Sequence, residues 1–108
     1  MGDAKKYHIH VYFTDASASH AHGLYEHIKS QGNDTLGRFH LRPVGPHPCR
    51  QFNFTVTHDE LPATCTWLDE VRKELDVLIH PLIDDDYLAH TVYARWLGHA
   101  HPLRLDKL

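Results

Sequence analysis

Cysteine is scarce in this chain of 108 residues: Cys49 and Cys65 stand far apart, with no C-x-x-C spacing. A zinc ribbon and a thioredoxin-like redox pair are therefore excluded, and both residues read as ordinary thiols. Positive charge is also limited, with 11 Lys and Arg against 14 Asp and Glu and a formal net charge of −3. No basic stripe is available to neutralise phosphates, so nucleic acid and anionic membranes are not expected as partners. Long apolar runs are missing too, and Met1-Gly2-Asp3-Ala4-Lys5-Lys6 lacks the apolar centre of a secretory signal. The expectation is a soluble, cytoplasmic protein. No internal repeat or low-complexity linker divides the chain, whose length suits one domain over residues 1–108 with a single core.

Histidine, by contrast, is abundant, at 12 residues of 108. In Tyr7-His8-Ile9-His10-Val11-Tyr12-Phe13 the residues alternate. On a strand of residues 6–13, Tyr7, Ile9, Val11 and Phe13 would make an apolar face, and His8, His10 and Tyr12 would point the other way. A neutral imidazole is the commonest protein ligand for a transition metal and titrates near neutral pH. A sheet face carrying several of them points to metal or proton chemistry.

The rest of the chain supplies further elements. Polar and small residues from Thr14 to Ser19 precede Ala21, Leu24, Tyr25 and Ile28 at helical spacing, and Gly32-Asn33 supplies a stop, which predicts a helix over 18–31. Leu36 to Arg42 alternates again and predicts a second strand, with Arg38, His40 and Arg42 on its polar face. Pro43-Val44-Gly45-Pro46-His47-Pro48 forbids a helix and predicts a fixed, extended loop. A third strand follows over 51–57, with Phe52, Phe54 and Val56 opposed to Gln51, Asn53 and Thr55. A second helix is expected over 63–75, carrying Trp67, Leu68, Val71 and Leu75 on one face, and a fourth strand over 76–81, closed by Pro81. Pattern alone does not fix the type of the tail, residues 82–108.

The order β-α-β-β-α-β is that of a ferredoxin-like α+β fold, a four-stranded antiparallel sheet with both helices on one face. Its strand order, 4-1-3-2, sets the first strand beside the third and the fourth; the first is expected to run parallel to the third and antiparallel to the fourth. His80 would then end beside His8 and His10, and the proline-rich loop would bring His47 to the same rim. Four histidines from three segments converge, which is what a metal site requires. His40 shares the face but sits farther out. His20, His22, His27, His58, His99 and His101 are accounted for by helix faces and polar turns. Asp84, Asp85 and Asp86 read first as a solvated turn, and also as the nearest source of the one carboxylate that a facial-triad metal site uses.

Tyr7-His8-Ile9-His10-Val11-Tyr12, Pro43-Val44-Gly45-Pro46-His47-Pro48, Leu78-Ile79-His80-Pro81 and His90 followed by Ala94-x-Trp96-Leu97-Gly98 together resemble the motifs of the DOPA 4,5-dioxygenase family, in the same order and across almost the whole chain. One departure is Ala89, where the family pattern suggests an acidic residue. The resemblance implies a ferredoxin-like fold and extradiol opening of a catechol ring, DOPA or a relative, by O₂ at a histidine-bound ferrous ion, Fe(II). Within that reading His10, His47 and His80 are the expected ligands, and His8 and His90 the expected proton-transfer groups. Arg38 or Arg42 would pair with a substrate carboxylate, and Asn53 is a further substrate contact. A homodimer is expected to cover part of the polar sheet face, with the tail around Trp96 as the other means of closing it. Two other readings compete: a dimeric metal-binding or pH-sensing module without turnover, and a metal-independent acid-base enzyme acting on a small acid.

Overall fold

A computed structural model describes residues 4–108; Met1–Asp3, part of the stretch read for a leader, lie outside the described residues. Its centre is the alternating segment, β1, Lys6–Phe13. Ile9, Val11 and Phe13 are buried against Ala21, Leu24 and Ile28 of α1, Ala18–Ser30, and against Leu61 and Leu68 of α2, Leu61–Val71. Phe52, Phe54 and Val56 of β2, Arg50–Thr57, and Val77 and Ile79 of β3, Asp76–Pro81, complete this layer. Each such aliphatic or aromatic side chain contributes about 1.5–3 kcal/mol on burial, which is why period-two strands and period-3.6 helices find one another here. His20 adds a polar tie, its Nε2 donating to the Val71 carbonyl at 2.7 Å. The fold is α+β and ferredoxin-like, with α1 and α2 on one face of a four-stranded antiparallel sheet.

The sheet order is β2-β1-β3-β4, where β4 is Arg95–Leu97 from the tail. Three sequence expectations are corrected here. First, β2 runs antiparallel to β1, pairing Lys6 with Thr57 and Phe13 with Arg50. The start of β2 therefore lies at the far end of β1, opposite to where the proline-rich loop was expected to arrive. Second, residues 36–42 do not form a strand. They still lie along the outer edge of β2, where the Gly37 amide donates to the Asn53 carbonyl at 2.8 Å and the His40 amide to the Gln51 carbonyl at 3.0 Å. The step from 37 to 40 is one residue longer than the step from 53 to 51, so the ladder breaks after a single bridge at His40. Third, the second helix ends at Val71, short of Leu75, because Lys73 takes a left-handed backbone conformation (φ 52°) and a turn closes with the Leu75 amide on the Arg72 carbonyl.

The tail supplies the fourth strand. A short helix, α3, Asp86–His90, is followed by β4, which pairs antiparallel with β3 through Leu78 and Trp96. The Arg104 amide donates to the Pro46 carbonyl at 2.7 Å, joining the tail to the proline-rich loop. Tail and proline-rich loop thus meet on the polar side of the sheet, at Tyr12, Trp96 and His101. No described helix is long and apolar enough to cross a membrane.

Candidate metal centre

The alternation that buries Ile9 and Val11 on one side of β1 places His8, His10 and Tyr12 on the other. The antiparallel register sets His8 directly opposite His80 of β3, and His10 between Asn53 of β2 and Leu78 of β3. His47 reaches this face by a different route from the one expected, since its loop arrives at the end of β1 and folds back beneath the tail. Its ring lies 4.1 Å from that of His10, centre to centre. His90, last residue of α3, lies tilted against His80, also at 4.1 Å. His8 meets His10 and His80 edge-on at 5.5 and 5.3 Å. All five histidines expected from the sequence are therefore one cluster, and His10, His47, His80 and His90 are between 4 and 9% exposed.

Hydrogen bonds fix the protons on the two central rings. The Gln51 side-chain oxygen accepts from His10 Nδ1 at 2.9 Å, and the Pro81 carbonyl accepts from His80 Nδ1 at 3.2 Å. Both acceptors lack a hydrogen to give, so each Nδ1 carries the proton and each Nε2 presents a lone pair. These two Nε2 atoms face each other at 3.0 Å. The distance is that of a hydrogen bond, but with both tautomers fixed no hydrogen lies between them. Two nitrogens held about 2.1 Å from one ion at a right angle stand about 3.0 Å apart, so the pair has the spacing of adjacent metal ligands. The donor nitrogens of His8, His10 and His80 all lie within 4.8 Å of one another. Each central ring also donates its other N–H to a carbonyl oxygen, as metal-bound imidazoles commonly do.

Electrostatics disfavour charge on His8, His10, His47 and His80. Burial first, then the neighbouring imidazoles, lowers His10 well below its ordinary value of 6.5. The same causes lower His80 to about 3 and His47 to about 4, and lower His8. Neutral rings are the form that binds a metal. Tyr12 closes the far side, its hydroxyl 2.8 Å from His47 Nδ1. Burial raises its pKa, so that hydroxyl stays protonated. His90 Nδ1 donates to the Asp86 carbonyl one turn back, at 2.8 Å.

The remaining sequence candidates fall outside the cluster. Asp84, Asp85 and Asp86 are exposed, and the Asp85 carboxylate caps α3 by accepting from the Leu88 amide at 2.9 Å. Among the described residues, the three-ligand grouping contains no carboxylate. Ala89, within α3, is buried. Arg38 and Arg42 are exposed on the irregular edge segment, and Asn53 is half-buried opposite His10 and against Gly37. An open groove of about 750 Å³, bordered by Lys5, Lys6, Tyr7, Leu82, Tyr93 and Arg95, lies past the start of β1 and is lined by none of the five histidines. Sequence reasoning placed Gln51 and Tyr12 on the right face without giving them a role. Their signal was the alternation itself; their partners, His10 and His47, depend on the register.

The chain matches the Dopa 4,5-dioxygenase family over residues 7–107. It is 26% identical over 115 residues to a DOPA 4,5-dioxygenase of Amanita muscaria, covering 98% of this chain and 50% of that protein. It is 31% identical over 111 residues to an uncharacterized 21.2 kDa protein of Botryotinia fuckeliana, covering 91% of this chain and 60% of that one. The chain thus spans about half the length of the curated relatives it matches. The crystal structure of a "putative dioxygenase" from Nostoc punctiforme PCC 73102 superposes with a TM-score of 0.88 at 33% identity, covering 95% of this chain and 90% of that one.

Proposed function

The chain belongs to the Dopa 4,5-dioxygenase family, and on that premise we propose that it opens the ring of an aromatic diol with O₂, using a ferrous ion held by His8, His10 and His80. The observation that carries this reading is the pair of His10 and His80 Nε2 lone pairs facing each other at 3.0 Å. The ligand set takes His8 in place of the expected His47, because the His8 nitrogen joins the close trio with His10 and His80, whereas the His47 ring lies tilted beside His10. A bound ferrous ion would supply Lewis-acid binding of the two diol oxygens and electrons for O₂.

The chain's own residues account for the rest. Gln51 and the Pro81 carbonyl hold the two central rings in the metal-binding tautomer. His47, neutral and held at Nδ1 by Tyr12, is positioned to take a proton from a substrate hydroxyl, and Tyr12 to relay one. His90, its ring against His80 and its Nδ1 held by the Asp86 carbonyl, is the second proton-transfer group. His8, the least buried of the five, lies on the approach from solvent. Asn53, paired opposite His10, would meet a substrate hydroxyl, and Arg38 or Arg42, exposed on the outer edge segment, would meet a substrate carboxylate.

The test is anaerobic reconstitution with ferrous iron, then addition of L-DOPA or catechol in air while following O₂ uptake and the visible spectrum. Stoichiometric O₂ loss with a yellow ring-opened product, absent from metal-free protein, is expected. Tight iron binding without O₂ uptake from any diol would replace this reading with that of a metal-binding module.

A further inference from the structure

A second group of reactive side chains lies at the other end of the polar face. Cys49 leaves the proline-rich loop just before β2, and its Sγ lies 3.7 Å from His101 Nδ1. The opposite ring nitrogen, His101 Nε2, is 2.7 Å from Asp76 Oδ2, and the His99 amide donates to Asp76 Oδ1 at 2.8 Å. Gly98 makes this approach possible: it has a φ of 86°, and a Cβ there would collide with Asp76 Oδ1. Burial alone would raise the Asp76 pKa, but the His99 amide and the His101 ring outweigh it and hold the carboxyl below its usual value. The carboxylate therefore accepts, His101 Nε2 carries the proton, and Nδ1 turns a lone pair toward the thiol. Thiol, imidazole and orienting carboxylate stand in the order used by nucleophilic enzymes on unrelated folds.

The surroundings point to a class of ligand. The half-buried rings of Trp96 and His101, with centres 5.7 Å apart, form an aromatic wall edge-on to the buried Tyr12 and beside a half-buried thiol that solvent still reaches. A flat, uncharged, conjugated molecule fits such a wall, and the adjacent Asp76 disfavours anions. We propose that Cys49, His101 and Asp76 form a nucleophilic thiol site that adds covalently to conjugated carbonyl compounds. The sulfur forms a bond to the β-carbon, and the C=C electron pair moves through the conjugated system to the carbonyl oxygen as an enolate. His101 Nδ1 takes the thiol proton and returns it to the α-carbon, so the addition needs no oxidant or reductant. Burial and the Asp76 carboxylate raise the thiol's pKa, which makes a positioned base necessary at the moment of attack. The site is separate from the five-histidine cluster and touches it through Tyr12, so its test does not depend on the metal reading.

N-ethylmaleimide, itself a conjugated carbonyl compound, is the probe. The native chain is treated at neutral pH with less than one equivalent, and adducts at Cys49 and Cys65 are measured by peptide mass spectrometry. Cys65, half-buried on α2 against the core, is the internal reference. Cys49 should react more than about tenfold faster than Cys65, since a positioned base contributes up to about 10²–10⁴-fold. The ratio should fall toward one in urea, and His101→Gln should remove the advantage while circular dichroism stays unchanged. A native ratio below about tenfold, or a His101→Gln protein that folds and keeps the wild-type ratio, overturns the proposal. If His101→Gln does not fold, the native and urea ratios of the unaltered chain decide the matter.

Discussion

Replacing Gln51 with Leu tests whether a hydrogen bond outside the ligand set governs metal binding. Gln51 is 1% exposed and accepts the His10 Nδ1 proton at 2.9 Å. Leucine fills similar space but leaves that buried N–H without an acceptor, at a cost of about 1–3 kcal/mol. His10 can relieve the cost by moving its proton to Nε2, the atom that faces His80, and the lone pair needed for a metal is then lost. Loss of such a supporting partner typically weakens metal binding by about 10–100-fold. That corresponds to about 1.4–2.7 kcal/mol of binding free energy. Competition for ferrous iron against a coloured chelator under anaerobic conditions measures the change directly. Gln51→Glu restores an acceptor in the same place and should bind iron at least as well as wild type. If Gln51 served packing alone, both variants would behave alike. Gln51→Leu binding within twofold of wild type would refute the tautomer argument.

Two other expectations concern protons and the acidic turn. Because His10, His47 and His80 are held below 6.5 in the folded protein, with His47 at about 4 and His80 at about 3, the unfolded chain takes up protons that the folded chain refuses. Stability of the metal-free protein should be full above pH 6.5 and fall as pH drops toward those values, by about 1.4 kcal/mol per pH unit for each such histidine. Urea denaturation at pH 7.5, 6 and 5 checks this, and a flat profile would show that the rings are not held neutral by burial. Asp85→Ala removes the cap of α3 and should lower stability by about 0.5–2 kcal/mol. Its ferrous affinity should be unchanged, whereas a clear loss in the same chelator assay would place a carboxylate of this turn at the metal.

Much of the architecture was written in local periodicity. The alternation from Tyr7 to Phe13 specified a strand and assigned its faces, because a side chain's direction on a strand depends only on whether its position is odd or even. The apolar spacing of Ala21, Leu24 and Ile28 specified α1 in the same way. Residues 36–42 show where that logic stops: their alternation is real, but one extra residue against β2 breaks the ladder, and the count exists only once the partner strand is in place. The family motifs named all five clustered histidines, yet the lone pairs that face each other were set by Gln51 and the Pro81 carbonyl.

By itself, then, the sequence determined the ferredoxin-like class, the two faces of β1 and the identity of the histidines, since each follows from the order of neighbouring residues. Only the tertiary structure decided that β2 runs antiparallel to β1, that the tail supplies the fourth strand, and that Asp76 and His101 stand behind Cys49. Those contacts join residues far apart along the chain. Their formation depends on the path of the whole backbone and on the need to satisfy every buried polar group at once, which no local pattern encodes.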